Sequence, residues 1–200
     1  HLKTSEVGIT GEDYLSARRM LLINSDVMMG SVTTHEKLWT KLRQTAQQLG
    51  QTVSPDDAYL ASRGLRTLSV RMKAHETSAL HIAQWLQTQS DVATVFHPAL
   101  ADCPGHEIWK RDFTGSSGLF SFIHKGDTAT GAAFVDALEL FGIGYSWGGF
   151  ESLALPVHPE KYRSAVVWDK PGTLIRLQIG LEDTDDLIAD LEAAFRATTT

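Results

Sequence analysis

Between His35 and Gly50 the apolar residues Leu38, Leu42, Ala46 and Leu49 recur at intervals of four, four and three, and Gly50 supplies a stop. That spacing predicts a helix with one buried face. Ser54 then offers a hydroxyl to cap a second helix, with Pro55 at its first position and Asp56 and Asp57 beside the positive end of its dipole. The pattern predicts that this helix runs to about Gln87, with Gly64 marking a bend or a close contact. At a rise of about 1.5 Å per residue it would be roughly 50 Å long, enough to join two domains.

After Ser90 the period changes. Val92 to Phe96 and Leu119 to Ile123 are short runs of strand formers bounded by Pro98, Pro104, Gly105 and the turn from Gly115 to Gly118. Ala129 to Phe141 predicts a helix whose inner face is Ala133, Phe134, Ala137, Leu138 and Phe141. Thr173 to Ile179 alternates, with Leu174, Arg176 and Gln178 opposite Ile175, Leu177 and Ile179, which predicts a strand with one polar face. Asp185 to Ala197 places Leu187, Ile188, Leu191, Ala194 and Phe195 on one side of a surface helix, with Glu182 and Asp183 as charges at its N-terminal end. Asp102 to Gly118 and Pro156 to Gly172 are the longest stretches read as irregular. Helices alternating with short strands give an α/β class with an α+β C-terminal part.

Composition narrows the partners more than the fold. Twenty-four acidic against 18 basic residues leave no electrostatic reason to bind nucleic acid or anionic lipid. No run approaches the roughly 20 apolar residues of a membrane span, and the N-terminus has no apolar signal core, so a cytoplasmic protein is expected. The single cysteine, Cys103, excludes an internal disulfide. The histidines fall at no metal-ligand spacing, so no metal site is expected. Dinucleotide, P-loop, zinc-protease and nucleophile-elbow signatures are absent.

Two features could carry chemistry. Tyr145-Ser146-Trp147-Gly148-Gly149-Phe150-Glu151-Ser152 is the densest aromatic and glycine cluster; it reads either as a ligand pocket or as a buried strand end. Arg176, inside an otherwise apolar strand, requires either an internal acid or an anionic ligand, because a desolvated guanidinium without a partner is costly.

These segments also carry a resemblance. Ser54 to Leu68 (SPDDAYLASRGLRTL), His106 to Phe122 (HEIWKRDFTGSSGLFSF), Tyr145 to Leu153 (YSWGGFESL) and Gly172 to Leu191 (GTLIRLQIGLEDTDDLIADL) resemble, in order, the Cys/Met metabolism group of pyridoxal-phosphate (PLP) enzymes, and within it the cystathionine β-lyase branch. The resemblance covers about residues 25 to 200. It implies the C-terminal part of the aspartate aminotransferase-like fold, PLP fold type I. Residues 1–60 would be a remnant of the cofactor domain, most of it missing and 1–20 unmatched, and 61–200 the C-terminal small domain. The implied reaction is a carbon–sulfur lyase step in methionine biosynthesis, the α,β-elimination of cystathionine to homocysteine, pyruvate and ammonia, by a homotetramer. In it Arg176 would clamp the α-carboxylate of the amino-acid substrate, Tyr145, Ser146 and Trp147 would line the pocket, and Ser16 would help hold the cofactor.

One position departs from the group. Its lysine, which forms the Schiff base and moves protons, belongs where this chain has Arg19, in the register Ser16-Ala17-Arg18-Arg19-Met20 followed by Ile23-Asn24-Ser25-Asp26-Val27. A guanidinium stays protonated and neither condenses with an aldehyde nor shuttles protons. No intact catalytic residue, no covalent cofactor and negligible activity are therefore expected, as from a truncated or frame-shifted reading of a complete gene. The other expectation is a non-catalytic module that binds an intact lyase subunit or another protein through apolar surface.

Overall fold

The computed structural model describes residues 16–19 and 30–198, which fall into two compact units divided between Arg66 and Thr67. In the first unit, β1 (Ser16–Arg19) pairs antiparallel with β2 (Gly30–Thr33), bringing Arg19 opposite Gly30. Two helices follow, α1 (Glu36–Gln48) and α2 (Pro55–Leu65). The predicted cap on α2 is present: Ser54 Oγ accepts the Asp57 N–H at 3.0 Å, with Pro55 in the first turn. The predicted buried face of α1 is not. Leu38, Leu42 and Ala46 are only half-buried, because the described part of this unit, one hairpin and two helices, has too few layers to enclose a core.

The expected single helix from Ser54 to Gln87 is two. The chain leaves helical geometry at Thr67 (φ −108°, ψ 2°) and resumes as α3 (Leu68–Leu86), whereas Gly64 stays inside α2. The break coincides with the division between the units, so each helix belongs to a separate packing problem.

The second unit is one five-stranded sheet, β3 (Val92–Phe96), β4 (Leu119–His124), β7 (Thr173–Gln178), β6 (Leu153–Val157) and β5 (Gly142–Ile143) in spatial order; the first four are antiparallel neighbours and β5 joins β6 in parallel. Helices α3, α5 (Thr128–Asp136) and α6 (Thr184–Thr198) supply Ile82, Leu86, Phe134, Leu187, Leu191 and Phe195 to a core that receives Phe122, Ile175 and Leu177 from the sheet. Phe134 lies tilted against Phe195, ring centroids 4.6 Å apart, and edge-on to Phe122 at 5.9 Å. Every residue of α6 predicted to face inward is buried except Ile188, which is half-buried.

Three expectations about this unit change. α5 ends at Asp136 instead of continuing to Phe141, because the buried Asp190 of α6 accepts the N–H groups of Glu139 and Leu140, both at 2.9 Å, and draws the chain out of the helix; Ala133 is exposed. The stretch from Asp102 to Gly118 contains a helix, α4 (His106–Asp112), entered through Gly105 at φ 88°, whose Trp109 Nε1–H donates to Gly115 O at 3.2 Å. The stretch from Pro156 to Gly172 begins inside β6 and contains a 3-10 turn at Pro159–Lys161.

Candidate functional site

β7 is the second unit's central strand, and its alternation decides what faces the helices. Ile175 and Leu177 are fully buried on the helix side. Arg176 points to the other face, in register with Ser121 of β4 and Leu155 of β6. It is half-buried, and its Nη2 donates to Gly144 O at 3.1 Å. No carboxylate pairs with it among the described residues, so the internal ion pair is not what the strand provides. Burial pushes its pKa down from the ordinary guanidinium value, with Tyr145 opposing, and it stays charged near neutral pH. Gln178, expected on the polar face, is buried and donates to Ile179 O at 2.7 Å.

The carbonyl that receives Arg176 opens the aromatic segment. Gly144 to Glu151 leaves the sheet after β5 and returns at β6, with no regular structure of its own. The reading of this segment as a buried strand end fails: Tyr145 is 81% exposed, Trp147 43% and Phe150 51%. Ser146 is exposed as well. The structure therefore brings the Arg176 guanidinium against this segment at Gly144, with Tyr145 close enough to act on its charge.

Sequence reasoning includes Ser152 in the aromatic and glycine cluster but gives it no role of its own, and it gives Glu182 no place in the site. Glu182 was read as a helix-terminal charge, but its carboxylate accepts the Ser152 N–H at 2.6 Å and the Ser152 hydroxyl at 2.8 Å. A serine just before a strand and a glutamate at a helix start each have an ordinary local explanation, so no sequence signal links them across thirty positions. The side chains of Ser16 and Arg19, and the whole of Ile23 to Val27, lie outside the described residues. Among the described residues no group of histidine, cysteine, aspartate and glutamate could hold a metal, and no helix is long and apolar enough to cross a membrane.

A mixed sheet with three helices on one face and a strand arginine on the other is a mixed α/β layer of PLP enzyme fold type I. The crystal structure of cystathionine gamma synthase from Xanthomonas oryzae pv. oryzae, in complex with aminoacrylate and cysteine, shares that fold with a TM-score of 0.79 at 35% identity, over 92% of this chain and 50% of that one. The family model for Cys/Met metabolism PLP-dependent enzymes matches residues 14–196, and the chain belongs to that family. The match reaches further back than the resemblance from residue 25 suggested, into the stretch read as unmatched.

Cystathionine beta-lyase MetC of Escherichia coli (strain K12) is 50% identical over 185 residues, 90% of this chain and 47% of its own length. Human cystathionine gamma-lyase is 40% identical over 188 residues, 91% and 46%. The chain thus spans about half the length of the curated relatives it matches, and those relatives bear different names within one family.

Proposed function

We propose that this chain is the substrate-carboxylate half of a cystathionine β-lyase, in which Arg176 clamps the α-carboxylate of a sulfur amino acid beside Tyr145, Ser146 and Trp147. The carrying observation is the half-buried guanidinium whose one hydrogen bond among the described residues is to a neutral carbonyl, Gly144 O. A planar fork with an unspent edge is suited to two parallel bonds from a carboxylate. The exposed rings of Tyr145 and Trp147 add flat apolar faces at the same segment. The β branch is preferred over its neighbours on the identity to beta-lyases.

PLP would supply the electron sink for breaking the carbon–sulfur bond. The donor at position 19 does not fit covalent attachment of that group: β1 ends in an arginine, opposite Gly30, and a guanidinium offers no primary amine to an aldehyde. In this reading the chain binds without carrying the reaction, and Ser16 contributes at most a hydrogen bond. Incubation with PLP followed by borohydride tests it; the expected result is no internal-aldimine absorbance band and no stoichiometric adduct at a single residue, and a band fixed by borohydride to one side chain would sink the inactive reading.

A second reading has its own observation. In the first unit, Val32, Trp39, Leu42 and Ala46 line an apolar groove of about 300 Å³, with Trp39 53% exposed. Such a surface favours association, so a non-catalytic role bound to an intact lyase subunit is the alternative. Size-exclusion chromatography with and without such a subunit separates the two.

A further inference from the structure

The segment facing Arg176 is tied to the strand that carries Arg176. Gly144 to Glu151 has no secondary structure to hold it, yet its return end is saturated with hydrogen bonds. Ser152 is completely buried and uses every polar group it has. Its N–H and hydroxyl donate to the two oxygens of Glu182 at 2.6 and 2.8 Å, its Oγ accepts the Gly180 N–H at 2.8 Å, and its carbonyl accepts the Gly142 N–H at 3.0 Å. One residue thereby joins the far end of the segment to β5, where the segment begins. Two residues away, Leu181 N–H donates to Phe150 O at 2.8 Å. Gly180, Leu181 and Glu182 are the exit of β7, whose Arg176 reaches Gly144.

The approach is too close for any side chain at position 180. A Cβ there would run into the Phe150 carbonyl oxygen and the Glu182 carboxylate. Hydrogen bonds to a charged acceptor are the stronger kind, and these are shielded by a fully buried partner.

We infer that Ser152 and Glu182 are positioning residues for the carboxylate site: they fix the Gly144 to Glu151 segment against β7, so that the Gly144 carbonyl holds the guanidinium with one edge free. This rests on the proposed role of Arg176. The family's reaction would depend on the pair only through that geometry, since neither residue is placed to touch substrate.

The test reads Arg176 directly, by the rate at which phenylglyoxal modifies it in the purified chain, followed by peptide mass spectrometry with exposed Arg63 as internal reference. Glu182→Gln and Ser152→Ala are each expected to speed labelling of Arg176 by roughly fivefold or more as the segment loosens, without changing Arg63. Leu86→Ala, which weakens the core on α3, is expected to leave the Arg176 rate near wild type. Unchanged Arg176 rates in both folded variants, or an equal acceleration in Leu86→Ala, would overturn the inference. Should Glu182→Gln fail to fold by circular dichroism, Ser152→Ala decides. A separate arm adds L-cystathionine to the wild-type chain: protection of Arg176 but not Arg63 supports the carboxylate site. Lack of protection sinks that site, while the variant rates still judge whether the pair holds the segment.

Discussion

Acidifying the solution from about pH 7.5 to about pH 5 should unfold the second unit progressively, because two of its buried histidines are held neutral. His97 is fully buried and accepts the Ala99 N–H on Nδ1 at 3.2 Å; His124 is 4% exposed and accepts the Gly126 N–H on Nδ1 at 2.9 Å, with its ring stacked 5.7 Å from Phe195. A proton on either Nδ1 removes an acceptor and buries a charge. Burial lowers the pKa of both, opposed by the Glu76 charge at His97 and by the Asp91 charge at His124. The unfolded chain therefore takes up protons first, near pH 6.5, and the folded chain only at lower pH. Stability is complete above about pH 6.5 and falls as the pH drops toward the depressed folded values, by up to about 1.4 kcal/mol per pH unit for each histidine. Urea denaturation at closely spaced pH values gives the slope. His97→Asn and His124→Asn retain an oxygen that can accept the same amide two residues on, without the titration. Each should remove about half of the slope, and a double variant as pH-sensitive as wild type, or stability that rises on acidification, would refute the assignment.

Other outcomes follow from single contacts. Phe134→Ala opens a cavity between Phe122 and Phe195 and should cost about 3–5 kcal/mol in urea denaturation. Asp190→Ala leaves the Glu139 and Leu140 amides without their acceptor; because both residues are exposed and water can replace it in part, the expected loss is roughly 2–4 kcal/mol by the same measurement. Gly180→Ala should displace the Phe150 carbonyl and raise amide exchange at Leu181, read by hydrogen-exchange mass spectrometry, whereas Phe122 in β4 should be unaffected. The Cys103 thiol, whose pKa is raised by burial and then by the Asp102 charge, should alkylate more slowly in the folded chain than in urea at the same pH.

The strands and the last helix were legible because local pattern and tertiary need coincide there. Ile175 and Leu177 alternate with Leu174 and Arg176, and the sheet buries one set as that alternation requires. Legibility failed where a distant group decided the outcome. Nothing between Ala129 and Phe141 announces that Asp190, some fifty residues on, will claim the amides that would continue α5. The helical period between Ser54 and Gln87 is likewise continuous by local rules, and the interruption at Arg66 and Thr67 coincides with the division between the two units. At the candidate site, Arg176 was visible as a charge out of place in a strand, but its Gly144 partner and the Ser152–Glu182 pair exist only once β5, β6 and β7 lie side by side.

In the proposed reading, the property that suits arginine to position 176 disqualifies it at position 19. A permanently protonated, planar guanidinium offers two parallel N–H groups to a carboxylate and keeps its charge under half-burial, where an ammonium titrates more readily. Condensation with an aldehyde and proton transfer demand the opposite, an amine that can give up its proton near neutral pH. Recognition of an amino acid and chemistry upon it therefore place incompatible requirements on a cation, and a family member that exchanges lysine for arginine loses the second while leaving the first untouched. Arg19→Lys alone should consequently leave labelling and carboxylate protection of Arg176 as they are in the wild-type chain. A change at Arg176 in that variant would mean that the two positions are coupled.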